Sequence, residues 1–436
     1  MRGIAGYIGN RKELPALIGQ LCPLKENGPG TTSLRTGEAL KAEDRMFESG
    51  RPVSVPEKAR YDHCLLKEIY EQPEAVLKTL GKRTEDTGRL LRELGMVNTA
   101  RNLRRLHIVG CGSSYHAGLV GRYIIERFVH IPVAIDIASE YRCMESIVTK
   151  GTLFISISQS GETADTLEAQ REAKRKGAFT VTICNEEDSA CAREADSVLY
   201  TCAGRETGAA TPKTFTTQMA ALCLLGIALG IGKDRVNPAE GETLKSLLTD
   251  LPRLMKKALD TSEMIRKISK TLVHTKGCLY LGRGINYPVA LEGALKMKEL
   301  CHIPAEGFAA GEMRHGAGAL IEMGVPVVLL APIDSLHENV LSDILEVKAR
   351  GGRVIAITDA PAALKDTVDH LVSVPSTHPA FFPFVSVIPL QLLAYHLAVV
   401  KGYNANRPEN PAESLSECRP STLDPPGHFF PMRNHL

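Results

Sequence analysis

An internal repeat constrains this 436-residue chain more than any other feature of its sequence. Residues 110–115 read Gly-Cys-Gly-Ser-Ser-Tyr, and residues 282–287, 172 positions later, read Gly-Arg-Gly-Ile-Asn-Tyr. Further pairs at the same offset are Ile131 with Ile303, Glu140 with Glu312, and Arg142 with Arg314. A repeat of this length predicts two similar domains, and positions where the copies differ indicate where their roles diverge.

The composition is that of an ordinary globular protein, with 44% hydrophobic and 23% charged residues and a net charge of +2. Such a charge favours neither nucleic acid nor a membrane surface. Apolar stretches such as Met219–Gly230 are too short to span a bilayer, and the N-terminus lacks a signal-type segment. The eleven cysteines show no Cys-x-x-Cys spacing, which favours reduced thiols over disulfides or a zinc site. We therefore expect a cytoplasmic protein without metal or cofactor, which binds neither nucleic acid nor membrane.

Short apolar runs alternate with helical patterns in both repeats. In the first repeat, runs at 107–109, 153–157 and 180–184 are separated by helical patterns at 117–128 and 164–176. The second repeat follows the same layout between Cys278 and Thr358. This alternation predicts parallel βαβ units whose sheets are covered on both faces, which is an α/β fold.

A turn rich in hydroxyl groups follows the apolar run that ends at Ile157. Its residues are Ser158, Gln159, Ser160, Gly161, Glu162 and Thr163, and a helical pattern begins directly after them. Free backbone N–H groups and the helix dipole favour an anion at such a turn. Because the turn has no lysine of the Walker type, it suits one phosphate on a small ligand better than a nucleoside triphosphate. The alternative is that these hydroxyl groups only cap the helix.

Two further observations concern the turns that follow the predicted strands. The turn at Gly110–Gly112 has Tyr115 where the dinucleotide-binding fingerprint has its third glycine, which argues against NAD. The second repeat has Ala331-Pro332-Ile333-Asp334 in place of the hydroxyl-rich turn. Phosphate binding is therefore predicted for the first repeat alone.

The helical pattern at 288–300 in the second repeat carries charged residues on one narrow face. Glu292, Lys296 and Glu299 are spaced i, i+4, i+7 on an otherwise apolar helix. Their mutual charge and burial can tune each pKa for proton transfer, and His315 in a glycine-bounded loop can move a hydroxyl proton. The alternative is a solvated Glu–Lys pair with a surface histidine. His116 and His302 are expected to be structural or exposed.

Several of these motifs resemble one known family. Ser158–Thr166 (SQSGETADT), Leu281–Glu299 (LGRGINYPVALEGALKMKE) and Gly311–Gly316 (GEMRHG) are similar to the sugar isomerase (SIS) domain family. Within it they resemble the isomerase half of the glutamine–fructose-6-phosphate aminotransferases, and the match runs from about Tyr61 to Gly402. The resemblance implies two tandem doubly wound αβα sandwich domains. It also implies a hexose phosphate ligand and a homodimer in which His315 reaches the neighbouring subunit's site.

The resemblance also implies roles for individual residues. Glu299 is expected to move the proton between C1 and C2, Lys296 to assist it, and His315 to open the sugar ring. The residues expected to bind substrate are Ser114, Ser158, Gln159, Ser160, Thr163, Ala209, Thr211, Glu292 and Ala412. The implied domains are an irregular remnant of a glutaminase start at 1–60, the first SIS domain with its helical lead-in at 61–240, the second with linker helices at 241–403, and a tail at 404–436.

Both ends of the chain depart from the family pattern. Residues 1–9 resemble a glutaminase start, but Arg2 stands where the family has its nucleophilic cysteine. Glu413 aligns with the family's tail lysine, and a carboxylate forms no Schiff base and repels phosphate. We therefore expect no glutamine hydrolysis. Ammonia-dependent amination, deamination or isomerisation is the first hypothesis. The alternative is a sugar-phosphate-binding protein without turnover, or an inactive partner of a full-length synthase.

Overall fold

The computed structural model describes residues 61–84, 87–208 and 210–405. A helical lead-in precedes the first sheet and consists of α1 (Cys64–Leu80), α2 (Thr87–Glu93) and α3 (Val97–Asn102). The first repeat then contains β1 (Arg105–Gly110), α4 (Gly112–Val129), β2 (Val133–Ile137), α5 (Ala138–Tyr141), β3 (Thr152–Ile157), α6 (Ala164–Arg175), β4 (Phe179–Cys184), α7 (Ala190–Glu194) and β5 (Ser197–Tyr200).

Three longer helices connect the two repeats, namely α8 (Pro212–Gly232), α9 (Pro238–Ala258) and α10 (Ser262–Thr271). The second repeat contains β6 (Cys278–Gly282), α11 (Tyr287–Cys301), β7 (Ala305–Ala309), β8 (Pro326–Leu330), α12 (His337–Ala349), β9 (Arg353–Thr358), α13 (Pro361–Leu364), β10 (His370–Ser373) and α14 (Phe382–Val400). The copies therefore match strand for strand.

The strands of the described residues form two parallel five-stranded sheets with the same topology. The first has the order β2-β1-β3-β4-β5 and the second the order β7-β6-β8-β9-β10. Within each sheet the chain moves outward in one direction and then crosses back, so that β1 and β3, or β6 and β8, flank the point where the order reverses. This strand order confirms the predicted pair of doubly wound domains. Ligands of such sheets bind at these reversal points.

One continuous hydrophobic core joins the two sheets. Leu106 and Ile155 from the first sheet and Val328 and Ile355 from the second belong to the same buried cluster, together with α8 and α14. The opposite faces have cores of their own, built around Phe154 in the first repeat and around the strands β6, β8 and β9 in the second. Because successive side chains of a strand point to opposite faces, each sheet is buried on both sides.

The prediction that the apolar stretches are too short to span a bilayer is wrong for two helices. In the described part of the chain, Pro212–Gly232 and Pro379–Val400 are long and apolar enough to cross a membrane, and 89% of each window is buried inside the protein. The apolar stretch at 219–230 extends toward the N-terminus because hydroxyl groups there bond back to the helix. Thr217 Oγ1 donates to the Lys213 carbonyl oxygen at 2.9 Å, for example. Such burial is typical of core helices.

The first glycine of each repeated pattern occupies a position where a side chain does not fit. A Cβ atom at Gly110 would lie 3.0 Å from the carbonyl carbon of Ser114, and one at Gly282 would lie 2.6 Å from that of Asn286. In both repeats the helix thus begins directly against the end of its strand. The repeated glycine is required by this close approach of backbone to backbone.

The substitution Gly282→Ala should lower the free energy of unfolding by about 1–3 kcal/mol, because the new methyl group must displace helix backbone. Urea denaturation measures the change. The matched control is Gly277→Ala, whose Cβ would meet its nearest atom, the Pro304 oxygen, at an ordinary 3.5 Å. Equal stability of the two variants would contradict this explanation of the repeat.

Candidate functional site

The predicted phosphate turn lies at the reversal point of the first sheet. Gly110, the last residue of β1, pairs with Ile157, the last residue of β3. The turn after β3 is therefore next to the start of α4, which carries Ser113 and Ser114. The side chain of Ser114 accepts a hydrogen bond of 3.0 Å from Gln218 Nε2 of α8.

Hydroxyl groups tie the turn to itself and leave the helix start without a side-chain cap. Ser158 Oγ lies 2.9 Å from Thr163 Oγ1 and accepts from the Gly161 amide at 3.1 Å. Ser160 Oγ accepts from the Glu162 amide at 3.2 Å. Thr163 is the N-cap residue of α6, but its side chain accepts no bond from the helix. The simple capping alternative therefore fails for Thr163, and no side chain of the N-cap residue occupies the amide groups at the start of α6.

Gly161 fixes the path of this turn. Its φ of +62° is left-handed, and a Cβ there would collide with the side chain of Ser189. Left-handed backbone and a close neighbour both favour glycine at this position. The turn is thus held in one shape by its own hydroxyl groups and by the packing of Ser189, the N-cap of α7.

The charged face of α11 meets α4 of the first repeat in a buried cluster. Ser113 Oγ donates to Glu292 Oε1 at 2.9 Å, and His116 Nδ1 lies 2.8 Å from Glu292 Oε2. Lys296 Nζ donates to Ser113 Oγ at 3.0 Å and to Glu299 Oε2 at 2.8 Å, and lies 3.3 Å from Glu292 Oε1. Glu292, Lys296 and Glu299 are thus brought together beside the start of α4, which carries Ser113 and Ser114. The alternative of a solvated surface pair is wrong.

Burial and charge oppose each other within this cluster. Burial alone would raise the pKa of the Glu292 carboxyl, but Lys296, then His116 and Ser113, outweigh it and lower that pKa. Burial likewise disfavours the ammonium group of Lys296, but Glu292 and Glu299 outweigh it and raise its pKa. Both residues are therefore charged at neutral pH. The Glu299 side chain is 30% exposed, whereas those of Glu292 and Lys296 are buried.

Sequence reasoning missed two members of the cluster, Ser113 and His116. The expectation that His116 is structural or exposed named no partner, and the structure shows it as a partly buried partner of Glu292. A signal was present, since the two residues are spaced i, i+3 and so share one face of α4 directly after the glycine-containing turn. His302 meets its expectation, because it is an exposed left-handed residue at the C-cap of α11.

His315 lies apart from this cluster. It ends the 3-10 helix Ala310–His315, which follows the edge strand β7, and its side chain is exposed. Among the described residues no hydrogen bond joins it to Lys296 or Glu299. Its neighbour Arg314 is paired with Glu346 of α12 at 2.6 Å. Within the part of the chain that the structure describes, His315 is therefore exposed and not bonded to Lys296 or Glu299.

The loop before α8 holds Thr211 in a strained conformation. Thr211 has φ 41° and ψ 51°, which is unusual for a β-branched residue. Two carboxylates fix the loop: Glu206 accepts from the Lys213 amide at 2.6 Å, and Glu68 accepts from the Gly208 amide at 3.0 Å. Burial, the largest effect, raises the pKa of Glu206. Strain held in this way is typical of functional sites.

Several predictions fall outside the described residues. These are the substrate contacts expected of Ala209 and Ala412, the departures at Arg2 and Glu413, and the irregular segments at 1–60 and 406–436. Gln159, Ser160, Thr163 and Thr211 are described and partly exposed, and Ser158 is buried. Their roles in binding stay predictions.

Comparison with known proteins identifies the family. The sequence profile of the SIS domain matches residues 101–228 and residues 271–401, which are the two repeats. The chain belongs to the SIS domain family. The shared strand order of its sheets is thus the shared fold of two SIS domains.

Relatives of known activity include isomerising glutamine–fructose-6-phosphate aminotransferases. That of Bradyrhizobium diazoefficiens is 43% identical over 385 residues, which cover 88% of this chain and 63% of the relative. One from Thermus thermophilus is 40% identical over 400 residues, which cover 91% and 65%. This SIS protein therefore spans somewhat less than two thirds of the length of these relatives.

Solved structures agree with this assignment. The C-terminal domain of glucosamine-fructose-6-phosphate aminotransferase from Francisella tularensis is 38% identical, with a TM-score of 0.77 over 80% of this chain and 99% of that domain. Glucosamine-6-phosphate deaminase from Thermotoga maritima is 25% identical, with a TM-score of 0.63 over 79% of this chain and 97% of that one. The SIS protein thus contains a counterpart of the aminotransferase's C-terminal domain.

Replacing Glu292 by Gln should destabilise the protein by about 3–5 kcal/mol at pH 7, because the buried Lys296 ammonium loses a charged partner. The folded pKa of Glu292 is lowered, so its stabilisation is present above the unfolded value near 4.5 and is lost as pH falls through the folded value. The difference between wild type and variant should therefore shrink below about pH 4.5. Urea denaturation between pH 3.5 and 7 measures it.

Glu74→Gln is the control, since Glu74 forms an exposed ion pair with Lys78 and should matter by less than about 1 kcal/mol. A Glu292→Gln difference that stays constant across this pH range would contradict the proposed charge state of the cluster.

Proposed function

We propose that this SIS protein binds a hexose 6-phosphate and transfers a proton between C1 and C2, interconverting ketose and aldose. One observation carries the proposal: the Lys296–Glu299 pair of the second repeat is bonded to Ser113, which lies beside the phosphate turn of the first. A phosphate site and an acid–base pair at the same reversal point suit a small phosphorylated sugar. Similarity to isomerising aminotransferases supports this choice of substrate.

In this proposal the turn at 158–163 holds the phosphate. Backbone N–H groups at the start of α6 and the hydroxyl groups of Ser158, Ser160 and Thr163 donate to phosphate oxygens. Ser114 and Thr211 donate further hydroxyl bonds. Because the turn is already fixed by internal bonds and by Gly161, little conformational entropy is lost when the ligand binds.

Glu299 acts as the base. It removes a proton from C1 of the open-chain ketose and returns it to C2, while the hydroxyl proton moves between the oxygen atoms through the enediol. Lys296 remains an ammonium group because its pKa is raised, so it can donate to Glu299 and stabilise negative charge on the enediol oxygen. With ammonia, an imine forms at C2 with loss of water, and the same proton transfer yields a 2-amino aldose.

His315 is proposed to act in a homodimer, at the site of the neighbouring subunit. Two features support this: its side chain is exposed, and it lies on a loop after an edge strand without a bond to the acid–base pair. A histidine in reach of the ring oxygen and the anomeric hydroxyl opens the ring by moving one proton. We further propose a cytoplasmic location, where such sugar phosphates occur.

A second candidate is binding without turnover. The alignment of Glu413 with a lysine of the family favours it, since a carboxylate there cannot form an imine with the open sugar and repels phosphate. This candidate keeps the phosphate turn but assigns no chemistry to Glu299.

An assay with fructose 6-phosphate separates the two candidates. Without ammonia, the purified protein should form glucose 6-phosphate. When ammonia is added as a nitrogen source, it should form glucosamine 6-phosphate. Glu299→Gln should reduce either rate by at least about a hundredfold, because general acid–base catalysis contributes roughly 10²–10⁴-fold. Ser158→Ala should weaken sugar-phosphate binding by about tenfold, as expected for loss of one hydrogen bond to a charged group.

Exposed Glu338→Gln on α12 is the control for Glu299→Gln and should leave the rates unchanged. Sugar-phosphate binding without either product would support the binding protein. Unchanged affinity in Ser158→Ala would rule out the proposed phosphate turn.

Mixing two inactive variants tests the shared site. Glu299→Gln and His315→Ala chains should each lose activity, whereas a mixture unfolded and refolded together should regain up to about half of the wild-type rate per hybrid dimer, since one of its two sites has both residues. Enzyme rates before and after mixing measure this. Absence of recovery, with dimers seen by light scattering, would place His315 in the site of its own chain.

A further inference from the structure

The reversal point of each sheet is covered by a helix of the other repeat. At the first sheet, Lys296 and Glu299 of α11 cover the loop after β1. The positions 172 residues earlier are Ile124 and Arg127 of α4. These residues occupy the place in the first repeat that the acid–base pair occupies in the second.

A cavity of about 470 Å³ lies at this second reversal point. Its lining includes Ile124 and Arg127 of α4, Arg283 from the loop after β6, and Asp334 and Ser335 from the turn after β8. Pro379 also lines it, on the segment that leads into α14, as Thr211 leads into α8 of the first repeat. The cavity is therefore built from the counterparts of the elements that form the candidate active site. Its volume is in the range of small-molecule pockets.

The charges of this cavity are reversed relative to the candidate active site. There the turn binds an anion and the covering helix carries the carboxylate of Glu299. Here the turn carries the carboxylate of Asp334, and the covering helix carries the guanidinium of Arg127. Asp334 Oδ1 accepts the Leu336 amide at 2.8 Å. No hydrogen bond or ion pair of Arg127 occurs within the described residues, so its donors are available to a ligand.

Arg283 contributes less charge than Arg127. Its Nε and one terminal nitrogen donate to the two carboxylate oxygens of Asp343 at 2.6 and 2.8 Å. The pair is nearly neutral, and it holds the guanidinium at the cavity wall with one terminal nitrogen left over. A ligand therefore meets one positive end at Arg127 and one negative end at Asp334.

We infer that this cavity is a second, non-catalytic ligand site that takes a small phosphorylated sugar or amino sugar. The phosphate binds Arg127, and hydroxyl or ammonium groups bind Asp334 and Ser335. Bidentate recognition of phosphate by a guanidinium suits this arrangement. The site carries no chemistry, because Ile124 stands in the place of Lys296 and an arginine in the place of the base.

Counting bound ligands tests the inference. The probe is radiolabelled glucosamine 6-phosphate, which has both a phosphate and an ammonium group, in equilibrium dialysis with a Glu299→Gln chain that cannot turn it over. Two equivalents should bind per chain. Adding Arg127→Ala should raise the dissociation constant of one equivalent by at least about tenfold, as for loss of a charged hydrogen bond, and leave the other unchanged. Ser158→Ala should do the converse.

Matched variants exclude indirect effects. Arg122→Ala removes an exposed arginine of the same helix, paired with Glu126 at 3.4 Å, and should leave both equivalents unchanged. Asp334→Asn keeps an oxygen for the Leu336 amide and should weaken the second equivalent for glucosamine 6-phosphate more than for fructose 6-phosphate, because only the former has an ammonium group.

A single equivalent lost in Ser158→Ala would overturn the second site and leave the proposed function intact. Two equivalents that are both insensitive to Arg127→Ala would also overturn it. No binding at all would overturn this site and the proposed function together.

Discussion

The buried carboxylate of Glu292 is the constraint on which the rest of the site depends. A charge without solvent costs several kcal/mol unless partners compensate it, and here the partners come from both repeats. Ser113 and His116 on α4 bond to its two oxygens, and Lys296 on its own helix supplies the opposite charge. Because these bonds cross between the repeats, they fix α11 against α4. Glu299, one turn further along α11, is thereby held beside the start of α4.

A helix of one repeat covers the reversal point of the other repeat at two places, α11 at the first sheet and α4 at the second. Only α11 has this polar arrangement. The position that corresponds to Glu292 is Val120, and the position that corresponds to Lys296 is Ile124, both buried in the shared core. A second set of buried charges would require a second set of compensating partners, and the loop after β6 has Ile285 and Asn286 where the first repeat has Ser113 and Ser114. The apolar pair packs without such partners. The copies thus differ at these helices: α11 carries the charged pair Glu292 and Lys296, whereas α4 carries the apolar pair Val120 and Ile124.

The sequence predicted those parts of the structure whose signal is local. Central strands such as β3 are continuous apolar runs, and the i, i+3 spacing of Lys296 and Glu299 indicated their shared face. The edge strands β2 and β7 escaped notice because Asp136 and Glu306 interrupt their apolar pattern, which an edge position allows. Ser113 and His116 were missed because their partner lies 176 to 179 positions away. Periodicity identifies a face of a helix but not what that face will meet.

Exposure and bonding distinguish Glu299 from the other glutamates of this region. Both oxygens of Glu292 are bonded within the cluster, and Glu68 and Glu206 accept backbone amides on either side of the strained Thr211. A carboxylate whose acceptors are occupied in this way stabilises structure and cannot also take a proton from a ligand at little cost. Glu299 differs, since it keeps 30% of its side chain exposed and has a single ammonium partner. The arrangement leaves the carboxyl group of Glu299 accessible, next to glutamates that keep the loop before α8 and the two helices in place.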